Sequence, residues 1–400
     1  MNVEWFMARR LLSEGKGGST ALPIVRIAIA GIALGVCVML LAVFVTSGFK
    51  REIREKLTGF MAHLNVLPDA GERVRDATAL VTWIEGLPGV NHAYGYVEKT
   101  AVLKGRTGEK NVHGALARGL DTLPGFFREY LAGGTLPDFT TDAVSDAILL
   151  STDVAGYLEV TVGDRLTVYF PDEPRRPRRL EVRGTYNTGF KEYDDATVLV
   201  DQRLLLRVNG WGKEDRSGIA VVLEEGAEAA RVAALIEQET TGYAVMTLEE
   251  IAPQIFDWLE LLDMNVWIIL ILLVTVAGFN MVSGLLVLIL DKTAMIGVLK
   301  ALGCRDFSLR LLFLHVAAGL VARGMLWGNA LAFALAGMQY HFRVVTLDPE
   351  TYYMSAVPLS FRAGEVLLLN AGVLVATVLI LVVPSMLAAR VEPARSMKFE

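Results

Sequence analysis

The chain has 400 residues, 53% hydrophobic and 20% charged, with a formal net charge of −6 and a positive mean hydropathy. The acidic balance argues against a nucleic-acid partner, and two cysteines, Cys37 and Cys304, make neither a disulfide framework nor a thiolate metal site. The hydrophobicity is segregated into runs, and those runs set the order of elements.

Residues 1–21 form a leader. In Val3–Leu12, VEWFMARRLL, the aromatic residues and leucines lie opposite Arg9 and Arg10 at helical spacing, the pattern of a basic amphipathic helix on a membrane surface. A charge-free run, Ile27–Phe49, predicts a first span over 22–49 that lacks a small-x-small cleavage site and is therefore retained. It carries Gly31-x-x-x-Gly35, small residues whose spacing predicts close packing against another helix.

Residues 50–263 have ordinary soluble composition and predict a mixed α/β domain. Strand patterns fall at Leu64–Leu67, Tyr96–Leu103, Arg165–Tyr169, Leu180–Arg183 and Thr197–Val200, with a helix over Val74–Glu85. A strand–helix–strand unit is predicted from Gly218–Leu223, Ala227–Glu239 and Tyr243–Met246. Between strands lies PDEPRRPRR, Pro171–Arg179, whose three prolines and four arginines predict a stiff basic loop or hairpin tip. Asp194 and Asp195 are adjacent, fall on opposite faces of a strand, and read as loop carboxylates rather than an acid–base pair. Thr247 and Glu250 make a capping box, predicting a helix that continues towards the second span.

Met264–Leu290 is the longest charge-free run, 27 residues, where about 20 cross a hydrocarbon core. It predicts a second span over 264–290. The loop 291–310 follows, in which Met295, Ile296, Leu299 and Leu302 recur at helical spacing and Gly303 stops the helix. The apolar face of this short helix needs a cover, a partner's groove or the membrane surface. A third span is predicted over 311–340, interrupted by His315 and Arg323, an arginine that mid-membrane belongs in a protein interior or wet cavity. A loop over 341–362, a fourth span over 363–389 and a tail over 390–400 complete the chain. Lys and Arg cluster in the leader, the 291–310 loop and the tail, which places both termini in the cytoplasm and the large domain on the opposite side.

The fold class is thus an α-helical integral membrane protein with four transmembrane helices and a large mixed α/β periplasmic domain inserted between helices 1 and 2. The sequence contains no GxxxxGK[ST], HExxH, GxSxG or CxxC, so no catalytic site, metal site or cofactor is expected in this chain, and energy must come from a partner.

DKTAMIGVLKALG resembles the cytoplasmic coupling segment of the FtsX-like, or MacB-type, ABC permeases, and VEPARSMKFE resembles their tail. ARRLLS, VTSGFKREI, GTYNTGFKEYDD, GMLWGN and LDPETYY look like the lipoprotein-releasing LolC/LolE branch. The resemblance implies an inner-membrane complex of a Gram-negative bacterium, built from two permease copies or paralogues and a cytoplasmic, LolD-like ABC ATPase that binds ATP and Mg. It would extract acylated lipoproteins and release them to a periplasmic, LolA-like carrier. By the same resemblance Met295, Ile296, Leu299, Lys300 and Gly303 would dock on the ATPase. Thr46, Ser47, Phe49, Met264 and Trp267 would border the lipid cavity. Pro171, Pro174, Arg175, Arg176 and Pro177 fall where the LolC type carries a carrier-binding hook. Met295 departs from the glutamate of many relatives, and mixed LolC and LolE features are compatible with a homodimeric permease. A MacB-like efflux or mechanotransmission permease and an FtsX-like regulator of a cell-wall hydrolase are the alternatives.

Overall fold

The structure is a computed structural model that describes residues 5–8, 10, 21–69, 73–105, 111–123, 125–140, 143–171, 176–348, 352 and 354–388. In chain order the elements are α1 (Ala21–Met61), β1 (Leu64–Pro68), α2 (Ala77–Glu85), β2 (Val90–Lys104), β3 (Val112–Leu120), α3 (Phe126–Glu129), β4 (Leu131–Gly134), β5 (Ala147–Ser151), α4 (Thr152–Tyr157), β6 (Arg165–Tyr169), β7 (Arg178–Tyr186), α5 (Lys191–Ala196), β8 (Thr197–Asp201), α6 (Gln202–Asn209), β9 (Gly218–Leu223), α7 (Ala229–Glu239), β10 (Tyr243–Thr247), α8 (Leu248–Ile251), α9 (Pro253–Asp291), α10 (Thr293–Ala301), α11 (Asp306–Phe342) and α12 (Ala363–Ala388). They divide into two compact units: Met1–Arg51, Trp258–Thr346 and Ala356–Glu400 in one, Glu52–Asp257 and Leu347–Ser355 in the other.

The first unit is a helical bundle. Among the described residues four helices, α1, α9, α11 and α12, are long and apolar enough to cross a membrane. At 1.5 Å per residue, α1 and α9, with 41 and 39 residues, are each about 60 Å long, roughly twice a hydrocarbon core. Both therefore run past the apolar segments read from sequence, α1 twelve residues beyond Phe49 and α9 starting eleven before Met264. Lys50 and Asp263 form an ion pair between them just past those segments. The bundle core is built from Ile32, Val36, Leu40 and Phe44 of α1, Met281 and Leu285 of α9, Leu309, Phe313 and Leu320 of α11, and Leu381 of α12.

Helix contact is closest where side chains vanish. A Cβ on Gly328 would sit 2.6 Å from the Ala33 carbonyl and 2.8 Å from Val36 Cβ, and one on Gly324 would sit 2.7 Å from Ile32 Cβ. Thus the small-residue pair that joins α1 to α11 is Gly324-x-x-x-Gly328. Gly31 faces the Asn280 side chain, and a Cβ on Gly35 would meet nothing within 4 Å, so the pair picked from sequence is only half in a tight contact. Because Gly324 takes the inward position, Arg323 is turned to the exposed side of α11 rather than into the bundle interior. Asn329 and Asn370 exchange side-chain hydrogen bonds of 2.7 and 3.0 Å, a reciprocal amide clamp between α11 and α12.

The second unit is the α/β domain. Its strands β2, β3, β8, β5, β7 and β6 are each paired to the next, and β6 pairs back to β2, so six strands close into a barrel. Period-two alternation fills it: Val97, Ala101 and Leu103 from β2, Ala115 and Ala117 from β3, Ile148 and Leu150 from β5, Leu166 and Val168 from β6, Leu180 and Val182 from β7, Val198 and Val200 from β8. The first half of β2 pairs with β9 instead, opening a mixed-length extension in the order β10-β1-β9-β2. Leu64, Val66, Ile219, Val221 and Val245 of this extension pack under Ile84 of α2 and Val232 and Ile236 of α7. The strand expectations match in place, with β2 and β7 longer than read.

Two local expectations are corrected. Thr247 and Glu250 do make a full capping box, but the helix it starts ends at Ile251. Pro253 disfavours helical geometry at Ala252, which adopts φ −124° and ψ 54°, and α9 begins afresh behind it. Asp194 and Asp195 lie in the short helix α5, not in a strand or loop. Asp194 is buried and accepts the Thr188 N–H at 3.0 Å and the Thr188 hydroxyl at 2.8 Å.

Candidate functional site

The segment expected to couple to an ATPase is α10 and the turn after it. Ile296 is fully buried in the bundle core and Leu299 is packed against that core, so these two hold α10 down. Lys300 is paired with Asp306 at 3.1 Å with its side chain 15% exposed. Gly303 has φ +90°, a conformation that suits glycine, and its N–H donates to the Lys300 carbonyl, closing the helix. What faces outward is the other side: Val298 is 51% exposed, Leu302 80% and Phe307 72%. Of the expected docking residues Met295 is half-buried and Ile296 is buried.

The residues expected at a lipid cavity separate in the same way. Phe49 is buried, and Ser47 donates to the Glu365 carboxylate at 2.8 Å at the start of α12. Beside them, Gly48 lets the Pro358 backbone press against α1, where a Cβ would sit 2.5 Å from its carbonyl oxygen. The Ser360 N–H donates to the Phe44 carbonyl, and the Phe44 ring meets Phe361 at 5.0 Å and Phe333 at 5.6 Å. Thr46 is half-buried in this wall. Met264 and Trp267, on α9, are 53% and 62% exposed, continuous with the exposed Ile268, Ile271 and Leu272. So α1 contributes a closed inner wall and α9 an open apolar face.

The basic segment lies at the turn of the β6–β7 hairpin, where Val168 pairs with Arg178. Pro171, Arg176 and Pro177 flank that turn, while Pro174 and Arg175 fall outside the described residues. In the leader, Trp5 and Phe6 are half exposed and Ala8 is buried in the bundle, whereas Arg9 and the tail 390–400 also lie outside the described residues.

Within the α/β unit, the end of α1 is fastened by side chains that no sequence pattern singles out. The Phe60 ring is 4.3 Å from Tyr193, 5.4 Å from Phe190 and 5.9 Å from Phe126. Ala62 then turns left-handed at φ +62°, and His63 ties the chain to β9 and to the start of α8. Its N–H donates to the Val221 carbonyl, its carbonyl accepts from Leu248, and its Nδ1 accepts from the Leu223 N–H at 3.1 Å. Burial, then the nearby Arg54, holds the imidazole below its usual pKa, which keeps Nδ1 free of a proton and able to accept.

The MacB-like periplasmic core domain family matches residues 27–239, and the FtsX-like permease C-terminal family matches residues 267–393. The chain is an FtsX/MacB-type permease. Similar proteins place the permease in the LolC/LolE branch. A LolC lipoprotein-releasing system transmembrane protein of Neisseria meningitidis is 27% identical over 99% of both chains. A LolC protein of Xylella fastidiosa is 25% identical over 93% of both, and a LolE protein of Haemophilus influenzae is 21% identical over 99% of both. The permease is thus a multi-pass membrane protein with a MacB-like periplasmic core domain, supported by four helices long and apolar enough to cross a membrane and by the family match over residues 27–239.

Proposed function

We propose that this permease is the membrane subunit of an ABC-type complex that spends a partner's ATP hydrolysis to extract lipoproteins from the inner membrane and release them to a periplasmic carrier. The topology in this reading has four spans, with the α/β domain inserted between the first two, in the periplasm, and both termini in the cytoplasm. The chain itself is not an enzyme; ATP and Mg belong to the partner ATPase. Full-length similarity to lipoprotein-releasing relatives supports the cargo class.

The observation that carries the coupling is the outward apolar edge of α10 and the turn after it. Val298, Leu302 and Phe307 are exposed beside the anchors Ile296 and Leu309, which are fully buried. An apolar edge held on buried anchors transmits a push into the bundle instead of folding away from it. Met264 and Trp267 on α9 offer the open face for acyl chains, and the β6–β7 hairpin offers a basic tip for the carrier.

The test is co-purification from detergent with the partner ATPase, followed by its ATPase rate with and without acylated lipoprotein. Leu302→Glu is expected to weaken the association at least about tenfold, the weight of one desolvated charge in an apolar contact. Stable association of Leu302→Glu and Val298→Glu, or an ATPase indifferent to lipoprotein, overturns the proposal.

A further inference from the structure

Arg118 sits in β3, one residue after Ala117, which fills the barrel interior. Its side chain is 9% exposed. Its cross-strand partner on β2 is Glu98, whose carboxylate lies 3.6 Å from Nε, and its guanidinium lies 4.1 Å over the Tyr96 ring of the same strand. The cation is therefore gripped by the barrel. Its Nη1 reaches away from that grip and donates to the Phe60 carbonyl at 3.4 Å.

Phe60 belongs to the last turn of α1, where helix carbonyls lack partners within the helix and the dipole is negative. A buried guanidinium answers both needs. Buried alongside are two polar atoms without a hydrogen-bond partner among the described residues, Arg118 Nη2 and the Tyr193 hydroxyl, and the Tyr193 ring packs on Phe60. The link to the sheet is thus made twice, by ion pair and by ring, while the link to the helix is one long bond with a second donor in reserve.

We infer that Arg118 is a positioning residue for the transport cycle: held by Tyr96 and Glu98, it keeps the end of α1 registered on the barrel and follows that end when it shifts. The reserve Nη2 supplies a hydrogen bond to whichever helix-end carbonyl comes within reach, so the contact survives small displacements. The role in transport rests on the lipoprotein-release reading; the latch on α1 does not.

The experiment uses the full-length permease in lipid nanodiscs, with its ATPase for the second arm. In the first arm, hydrogen exchange compares wild type with Arg118→Lys, which keeps the charge but loses the planar fork. Amides 58–62 should exchange about tenfold faster, the weight of one lost charge-assisted hydrogen bond, while β5 and β8 stay protected. Unchanged exchange at 58–62, or lost protection in β5 and β8, overturns the latch. In the second arm, lipoprotein released per ATP hydrolysed should fall by a similar factor with the hydrolysis rate unchanged. Faster exchange with undiminished release overturns the positioning role. A wild-type complex that hydrolyses ATP yet releases no lipoprotein sinks the cargo reading, and with it the transport role, while the first arm still decides the latch.

Discussion

Gly328→Ala should be among the most damaging one-carbon changes in the bundle. The added Cβ would lie 2.6 Å from the Ala33 carbonyl oxygen, 2.8 Å from Val36 Cβ and 3.1 Å from Val36 Cγ1, all well inside the 3.4 Å of ordinary contact. Two of these three are backbone or Cβ atoms, which no rotamer change moves, so α1 and α11 must separate. Overpacking of this kind costs about 1–3 kcal/mol. Gly35→Ala is the internal control: its Cβ meets nothing within 4 Å, and exchanging glycine for alanine in a helix gains up to about 1 kcal/mol. Val36→Ala in the Gly328→Ala background removes Cγ1 but leaves the carbonyl and Cβ, so it should restore only part of the loss. Unfolding in mixed micelles of dodecyl maltoside and dodecyl sulfate, followed by circular dichroism, gives the ranking. If Gly35→Ala costs as much as Gly328→Ala, the assignment of the packing seam is wrong.

Two further outcomes are expected. Burial lifts the Asp194 carboxyl from 3.8 to about 6, against the pull of the hydrogen bonds from Thr188 and Gly189. A folded pKa above the unfolded one means the stability it contributes is full below pH 4 and lost as pH rises through 6, roughly 3 kcal/mol over that window. The opening free energy of residues 187–197, from hydrogen exchange, should therefore fall between pH 4 and 7, and Asp194→Asn should flatten the slope; a rise with pH refutes it. For the amide clamp, a double-mutant cycle of Asn329→Ala and Asn370→Ala should give a coupling of about 0.6–1.7 kcal/mol, and additive losses would show the two side chains do not pair.

The four apolar runs were legible because hydrocarbon demands charge-free length. Their outer ends were not. Lys50, Arg51, Glu52 and Arg54 mark the end of membrane-compatible composition, yet α1 stays helical through them, since charge limits burial in lipid and not helicity. The individual strands could be read from alternation, but barrel closure could not, because β6 meets β2 some sixty residues away in sequence and nothing local encodes that pairing. The glycine contacts were legible only in part for a related reason: Gly31-x-x-x-Gly35 and Gly324-x-x-x-Gly328 carry the same spacing, and only the neighbouring helix decides which positions pack closely. In the segment 291–310, periodicity found the helix and its stop at Gly303 but not how its apolar residues divide between core and surface. Met295, Ile296 and Leu299 make a better apolar stripe than Val298 and Leu302, and the better stripe belongs to the protein's own core. Arg118 had no signature, being one arginine in an otherwise ordinary strand.

One strand makes the periplasmic domain indivisible. β2 gives its first half to the extension, beside β9, and its second half to the barrel, beside β3 and β6. Cutting the chain to isolate either part would strip the other of a central strand, so neither should survive as an excised module. Chimeras between related permeases that exchange only the barrel should fail to accumulate, whereas a graft spanning residues 64–247 carries both halves of β2 with all their partners. Recombination between paralogous permeases is constrained in the same way: viable crossovers belong outside that block, and the domain is inherited whole.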